Sequence, residues 1–183
     1  CYGKLSSLDV GPDRAAYGRG MVALMTGKLE AAIAEFDRAT ELNPFYVEAF
    51  MARAEAKDLD PSQPRGGVDD WRRLTELAPL HFNPLEGYAM ALVRLGEFDE
   101  ASAVIRKMEE RWSGDAHVSA VSAVLWYGIG RYEDAERVAL RVADQLQPGD
   151  LQERTVKVAV QADVARHDTA AARAANARFA DRL

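Results

Sequence analysis

Apolar and polar residues alternate along most of this chain with the period of a helix. In Ile33-Ala-Glu-Phe-Asp-Arg-Ala-Thr-Glu-Leu42, the run that follows Ala32, a small residue and a ring stand four apart at Ala32 and Phe36, and residues at that spacing share one helical face. Reading period and end signals together predicts ten helices, near 13–26, 29–42, 46–58, 67–78, 84–95, 98–112, 115–129, 132–146, 150–165 and 169–182. Asp13, Asp115 and Thr169 stand where a helix N-cap is expected, and Pro84 suits a first helical turn, where its missing N–H costs nothing. No window carries the period of two, bounded by turn residues, that a strand needs.

A phrase recurs within this pattern: Gly27-Lys-Leu-Glu-Ala-Ala32, Gly96-Glu-Phe-Asp-Glu-Ala101 and Gly130-Arg-Tyr-Glu-Asp-Ala135. The last two glycines are 34 residues apart and the first two 69, close to two such periods. A period of this length marks stacked helical hairpins, since one hairpin cannot bury its apolar face alone. Each phrase reads as a turn. The glycine takes a positive φ, the large residue two places on (Leu29, Phe98 or Tyr132) plugs the hairpin, and acidic residues open the next helix at its positive end.

Gly20, Gly27, Ala32, Phe36, Ala39 and Pro44 fall in one register, and that register resembles a tetratricopeptide repeat. A second copy runs from Val47-Glu-Ala-Phe50 to Pro79, with Gly67 in the place of Ala32, Trp71 in the place of Phe36, and a turn enlarged by Asp60-Pro-Ser-Gln-Pro-Arg-Gly-Gly67. A third (Ala89, Leu92, Gly96, Phe98, Ala101, Ile105) and a fourth (Ala123, Trp126, Gly130, Tyr132, Ala135, Ala139) keep the small and large positions. A fifth turns at His167-Asp168. The resemblance implies an all-α, right-handed superhelical solenoid of about five hairpins. Residues 1–12 are read as an N-terminal tether and 13–183 as one repeat domain, with copies near 13–46, 47–81, 82–115, 116–149 and 150–183.

Composition narrows the partners. With 48% hydrophobic and 28% charged residues and a net charge of −6, the chain can bury a continuous core but offers no basic field for nucleic acid. The nearest aromatic-basic cluster is Trp71-Arg72-Arg73, and Trp71 occupies a core position of the repeat. No apolar run has the length of a membrane span. Arginine far outnumbers lysine and alanine is plentiful, a usage that points to a GC-rich bacterial gene.

The single cysteine is residue 1, so no internal disulfide can form. A mature bacterial lipoprotein begins with the cysteine that carries its lipid. One reading is therefore lipidation at Cys1, membrane contact only through that lipid, and a place on the periplasm-facing cell envelope. The other is a fragment that starts there by chance, and the alternative location is the cytoplasm.

Candidate chemistry is sparse. His81, His117 and His167 are scattered, with no partners at metal-ligand spacing, so no metal and no cofactor are expected. No phosphate-cradling glycine loop or nucleophile elbow occurs. Adjacent acids such as Asp69-Asp70, Asp99-Glu100 and Glu109-Glu110 diverge by about 100° on a helix instead of converging on a substrate. No catalytic residue is assigned, and an enzyme is not expected.

What the resemblance implies is a binding groove lined by the first helix of each hairpin. Its register selects Tyr17, Met21, Leu24 and Met25 from the first copy, Met51 and Glu55 with Glu48 from the second, Glu86, Met90, Val93 and Arg94 from the third, and Val124 and Tyr127 with His117 from the fourth. This lining is apolar and rich in methionine, whose flexible side chain adapts to varied apolar partners. It lacks the Lys, Arg and Asn that clamp an acidic C-terminal tail in part of the family. The expectation is a non-catalytic adaptor for a protein or peptide partner, with an apolar or amphipathic segment in the groove, serving envelope or secretion assembly. A regulatory domain of a larger enzyme or regulator and a self-assembling scaffold stand as alternatives, and oligomeric state is open. The same stripe also fits buried packing or a contact between copies.

Overall fold

A computed structural model describes residues 11–63, 65–146, 150–165 and 174. These residues form helices and turns, with no strand among them. In order the helices are α1 (Pro12–Met25), α2 (Leu29–Leu42), α3 (Val47–Leu59), α4 (Val68–Leu77), α5 (Phe82–Leu95), α6 (Phe98–Arg111), α7 (Ala116–Gly128), α8 (Tyr132–Val142) and α9 (Asp150–Ala165). The all-α hairpin architecture read from the period is present, and helix ends fall within about two residues of expectation except at α8. That helix stops at Val142, and Ala143–Gln145 continue as a 3-10 turn. The expected helix at 169–182, with its cap Thr169 and the turn at His167, lies outside the described residues, as does the tether before residue 11.

The repeated phrase folds the same way three times. Gly27, Gly96 and Gly130 have φ of 72°, 75° and 80°. Each glycine N–H donates to the carbonyl three residues back: Gly27 to Leu24, Gly96 to Val93 and Gly130 to Tyr127. The following N–H reaches five residues back, from Lys28 to Ala23, Glu97 to Leu92 and Arg131 to Trp126, at 2.9, 3.0 and 2.9 Å. This pairing is the Schellman C-cap, which satisfies carbonyls the helix end would otherwise orphan. Lys28, Glu97 and Arg131 then serve as N-caps of the next helix. Their carbonyls accept from Ala32, Ala101 and Ala135, while their side chains cap nothing. First-turn acids stand in for a side-chain cap: Glu30 in α2, Asp99 and Glu100 in α6, Glu133 and Asp134 in α8.

Contacts group the chain into two compact units divided between Pro84 and Leu85. In the first unit, Ala32, Ile33 and Phe36 of α2 and Ala52 and Ala56 of α3 form a buried cluster, with Tyr17, Met21, Ala23, Leu24 and Leu29 packed against it. A Cβ on Gly20 would sit 2.5 Å from the Phe36 ring, so the missing side chain makes the ring's seat on α1. Ala16, Ala39 and Ala49 form a second cluster under Tyr17 and Tyr46. Asp13 is not the N-cap of α1. Gly11 takes that place and Pro12 opens the helix, and the Asp13 carboxylate accepts from Asn43 Nδ2 at 2.9 Å. That hydrogen bond holds its carboxyl below the usual range.

In the second unit the copies repeat their buried positions. Ala89, Leu92, Ala101 and Ile105, and then Ala123, Trp126, Ala135 and Ala139, are all buried. Phe98 is the exception among the three hairpin plugs, since 45% of it remains exposed. Asp115 caps α7 as expected, accepting from the Val118 N–H at 3.0 Å. The α8 end is held from α9, where buried Gln152 donates to the carbonyls of Ala143 and Leu146. Pro84 lies buried in the first turn of α5.

Candidate functional site

The register positions separate into a set on each unit. In the first, Tyr17, Met21 and Leu24 of α1 lie half-buried against the α2–α3 cluster. The Tyr17 ring is 5.9 Å from Phe36 and 5.3 Å from Tyr46. These three residues are part core and part surface, because α1 has α2 on one side while the rest of its circumference meets other neighbours or solvent. Met25, one turn further, is 83% exposed. On α3, Met51 is half-buried and Glu55 exposed, with Ala52, Ala54 and Ala56 buried between and beside them. Although the residue as a whole is exposed, partial desolvation of its carboxyl and then the neighbouring charge of Asp58 push the Glu55 carboxyl up from its ordinary value. Glu48 is exposed in the first turn of α3.

In the second unit Met90 is 42% exposed, Glu86, Val93, Val124 and Tyr127 are half-buried, and Arg94 and His117 are exposed. A Cβ on Gly128 would lie 2.9 Å from Val93 Cγ1, so α5 and α7 meet closely beside Tyr127. The Tyr127 ring packs 5.3 Å from Tyr132. Cys1 lies outside the described residues.

The polar frame that sets these helices was not read from the sequence. Arg53 of α3 donates through Nε at 3.0 Å and through Nη2 to the two carboxylate oxygens of buried Asp70 on α4. Through Nη1 it also reaches Asp37 and the Thr40 hydroxyl on α2, at 2.8 and 2.6 Å. Lys57 completes the Asp70 shell at 3.0 Å. One turn on, Asp58 accepts from the Gly67 N–H and from Trp71 Nε1 at 2.7 and 2.8 Å. Burial pulls the Arg53 guanidinium down, but the hydrogen bond and charge of Asp70, with Asp37, more than offset it, and the net displacement is upward. The guanidinium fork thus ties three helices together, a role suited to its planar bidentate geometry. The sequence signal was an arginine among the alanines of α3, visible but ambiguous.

No group of three His, Cys, Asp or Glu side chains that could hold a metal occurs among the described residues. No helix among them is long and apolar enough to cross a membrane.

The family model for the tetratricopeptide repeat matches residues 5–47 and 87–150, more than half of the chain, and the chain belongs to that family. Its repeats are as a rule modules that hold protein or peptide partners. Among solved structures, the chain is similar to "MamA 41-end from Desulfovibrio magneticus RS-1" with a TM-score of 0.75 at 13% identity, covering 94% of this chain and 96% of that one. It is similar to TTC0263, a thermophilic protein of these repeats in Thermus thermophilus, with a TM-score of 0.66 at 15% identity and coverage of 93% and 91%. YrrB, described as a protein of these repeats with an unusual peptide-binding site, aligns with a TM-score of 0.66 at 15% identity and coverage of 91% and 84%. At these identities the likeness is one of fold. No curated protein matches the sequence.

Proposed function

We propose that this chain is a non-catalytic adaptor that holds an apolar or amphipathic segment of a protein partner on the first helices of its hairpins. The observation that carries the reading is the state of the methionines: Met21 and Met51 half-buried, Met90 partly open and Met25 largely open, all on α1, α3 or α5. Open methionines on helices that bind partners in this family supply adaptable apolar contact. Glu55 and Glu86 nearby in the register favour a segment carrying a basic residue, with burial supplying affinity and charge setting orientation. The peptide-binding site named for YrrB is in keeping with this use of the fold.

Selection from a displayed peptide library tests it. Enriched sequences should alternate apolar residues with Lys or Arg. Replacing Met51 and Met90 together with glutamate should leave helical content unchanged and weaken the selected peptides by about 2 to 4 kcal/mol, as expected when central apolar anchors are lost. Unaltered affinity would sink the proposal.

The proposal extends to a lipid on Cys1 and an envelope location in assembly of an envelope or secretion complex, motivated by the lone cysteine. Intact-mass measurement of full-length protein extracted from membranes decides that part: an unmodified Cys1 removes it.

A further inference from the structure

A cavity of about 470 Å³ lies in the second unit between the end of α6, the start of α7 and the second half of α8. Its wall carries groups of both signs. Arg137 and Arg141, one turn apart on α8, bring guanidinium groups, Glu109 brings a carboxylate, and Ser119, Gln145 and Val138 complete the working surface. Arg141 and Glu109 have unused capacity. Arg141 forms no ion pair with another described residue, whereas Arg137 is engaged with Asp134. Ser119 is nearly buried and lines the cavity. Glu109 accepts from Trp126 Nε1 through Oε1 alone at 3.1 Å, leaving Oε2 for a second donor.

We propose that this cavity is a binding site for a small zwitterion of the α-amino acid type, independent of the function proposed above. The ligand carboxylate pairs with Arg141 and accepts from Ser119, its ammonium donates to Glu109, and its side chain lies over Val138. The volume falls in the range of small-molecule sites, and the mainly polar lining suits a charged ligand. Charge of both signs within one cavity selects against a simple anion, which Glu109 repels, and against a simple cation, which the two arginines repel.

Amide shifts of the full-length chain on titration with four probes test the assignment: a mixture of free L-amino acids, N-acetylalanine without the ammonium, alaninamide without the carboxylate, and inorganic phosphate. The expected result is a saturable shift at Ser119 and Val138 with the free amino acids, and binding at least about tenfold weaker for either half-molecule, in line with the loss of one charge-assisted pair. Arg141→Gln should weaken the free amino acid by a similar factor with the melting temperature unchanged. Glu109→Gln keeps an acceptor for Trp126 and should remove the preference for the ammonium. Phosphate or N-acetylalanine binding as tightly as the amino acids, full affinity in Arg141→Gln, or no saturable shift with any amino acid would overturn the proposal.

Discussion

Gly67 lies directly against the backbone of Ala54: a Cβ there would come within 2.4 Å of the Ala54 carbonyl oxygen and 2.6 Å of its Cα. The N-cap of α4 approaches α3 at the place where the other copies carry alanine, and here even alanine is too large. The neighbouring atoms are backbone, so they cannot swing aside. Gly67→Ala is therefore expected to destabilise the first unit by roughly 3 kcal/mol through overpacking, and alanine is also the poorer residue at the N-cap position that Gly67 holds. Urea denaturation followed by circular dichroism checks this, and a neutral or stabilising effect would mean that α3 and α4 pack less closely.

Arg53 is expected to matter more for the fold than for any ligand. Removing its guanidinium leaves nearly buried Asp70 to Lys57 and takes the bridge from Asp37 and Thr40. Arg53→Ala should cost about 3 kcal/mol, the scale for breaking one side of a buried ion pair. The double change Arg53→Met with Asp70→Leu should recover much of that loss. Equal losses in the single and double variants, compared by denaturant midpoint, would refute the account.

Glu55 gives a pH dependence of known sign. Its folded carboxyl is raised above the ordinary 4.5, first by partial desolvation and then by Asp58. The protonated form is thus favoured by the fold, and this contribution is fully present below the unfolded value and lost as pH rises through the folded one. At neutral pH the ionised group opposes folding, so Glu55→Gln should raise the melting temperature at pH 7 and leave it unchanged near pH 3. A gain of the same size at both pH values would exclude ionisation as the cause.

Ser122, wholly buried in α7, has a hydroxyl with no hydrogen-bond partner among the described residues. Ser122→Ala removes the unsatisfied donor and improves helix propensity, so a gain of about 1 kcal/mol is expected. A loss of that size in thermal unfolding would show that the hydroxyl is satisfied in solution.

The turns and helix ends were legible in the sequence because their causes are local. A glycine at positive φ, two N–H groups reaching back three and five residues, and a first-turn acid all lie within one short phrase, and Gly27, Gly96 and Gly130 announce all three turns. Asp115 shows the same locality, its carboxylate bonding an N–H three residues on. The misplaced cap at Asp13 is half local and half tertiary: Pro12 is fit to open the helix one residue earlier, whereas the carboxylate is held by Asn43, thirty positions away.

Periodicity could say which face of a helix is apolar, but not how much of it a neighbour covers. Met21 and Met25 stand one turn apart on α1, yet one packs on the Phe36 cluster and the other is open. Phe36 and Phe98 are both ring positions of the repeat motif, yet the first is sealed and the second half-exposed. Arg53 joining Asp37 to Asp70, and Arg141 sharing a cavity with Ser119 and Glu109, depend on residues from separate helices meeting in space. Hydrogen bonds between near neighbours fix the helices, their turns and their pairing, so the order of residues was enough to read them. Burial, ion pairing and the cavity became visible only once the helices were packed, because desolvation and Coulomb attraction depend on the distance between side chains, and that distance is set by how one helix lies against the next.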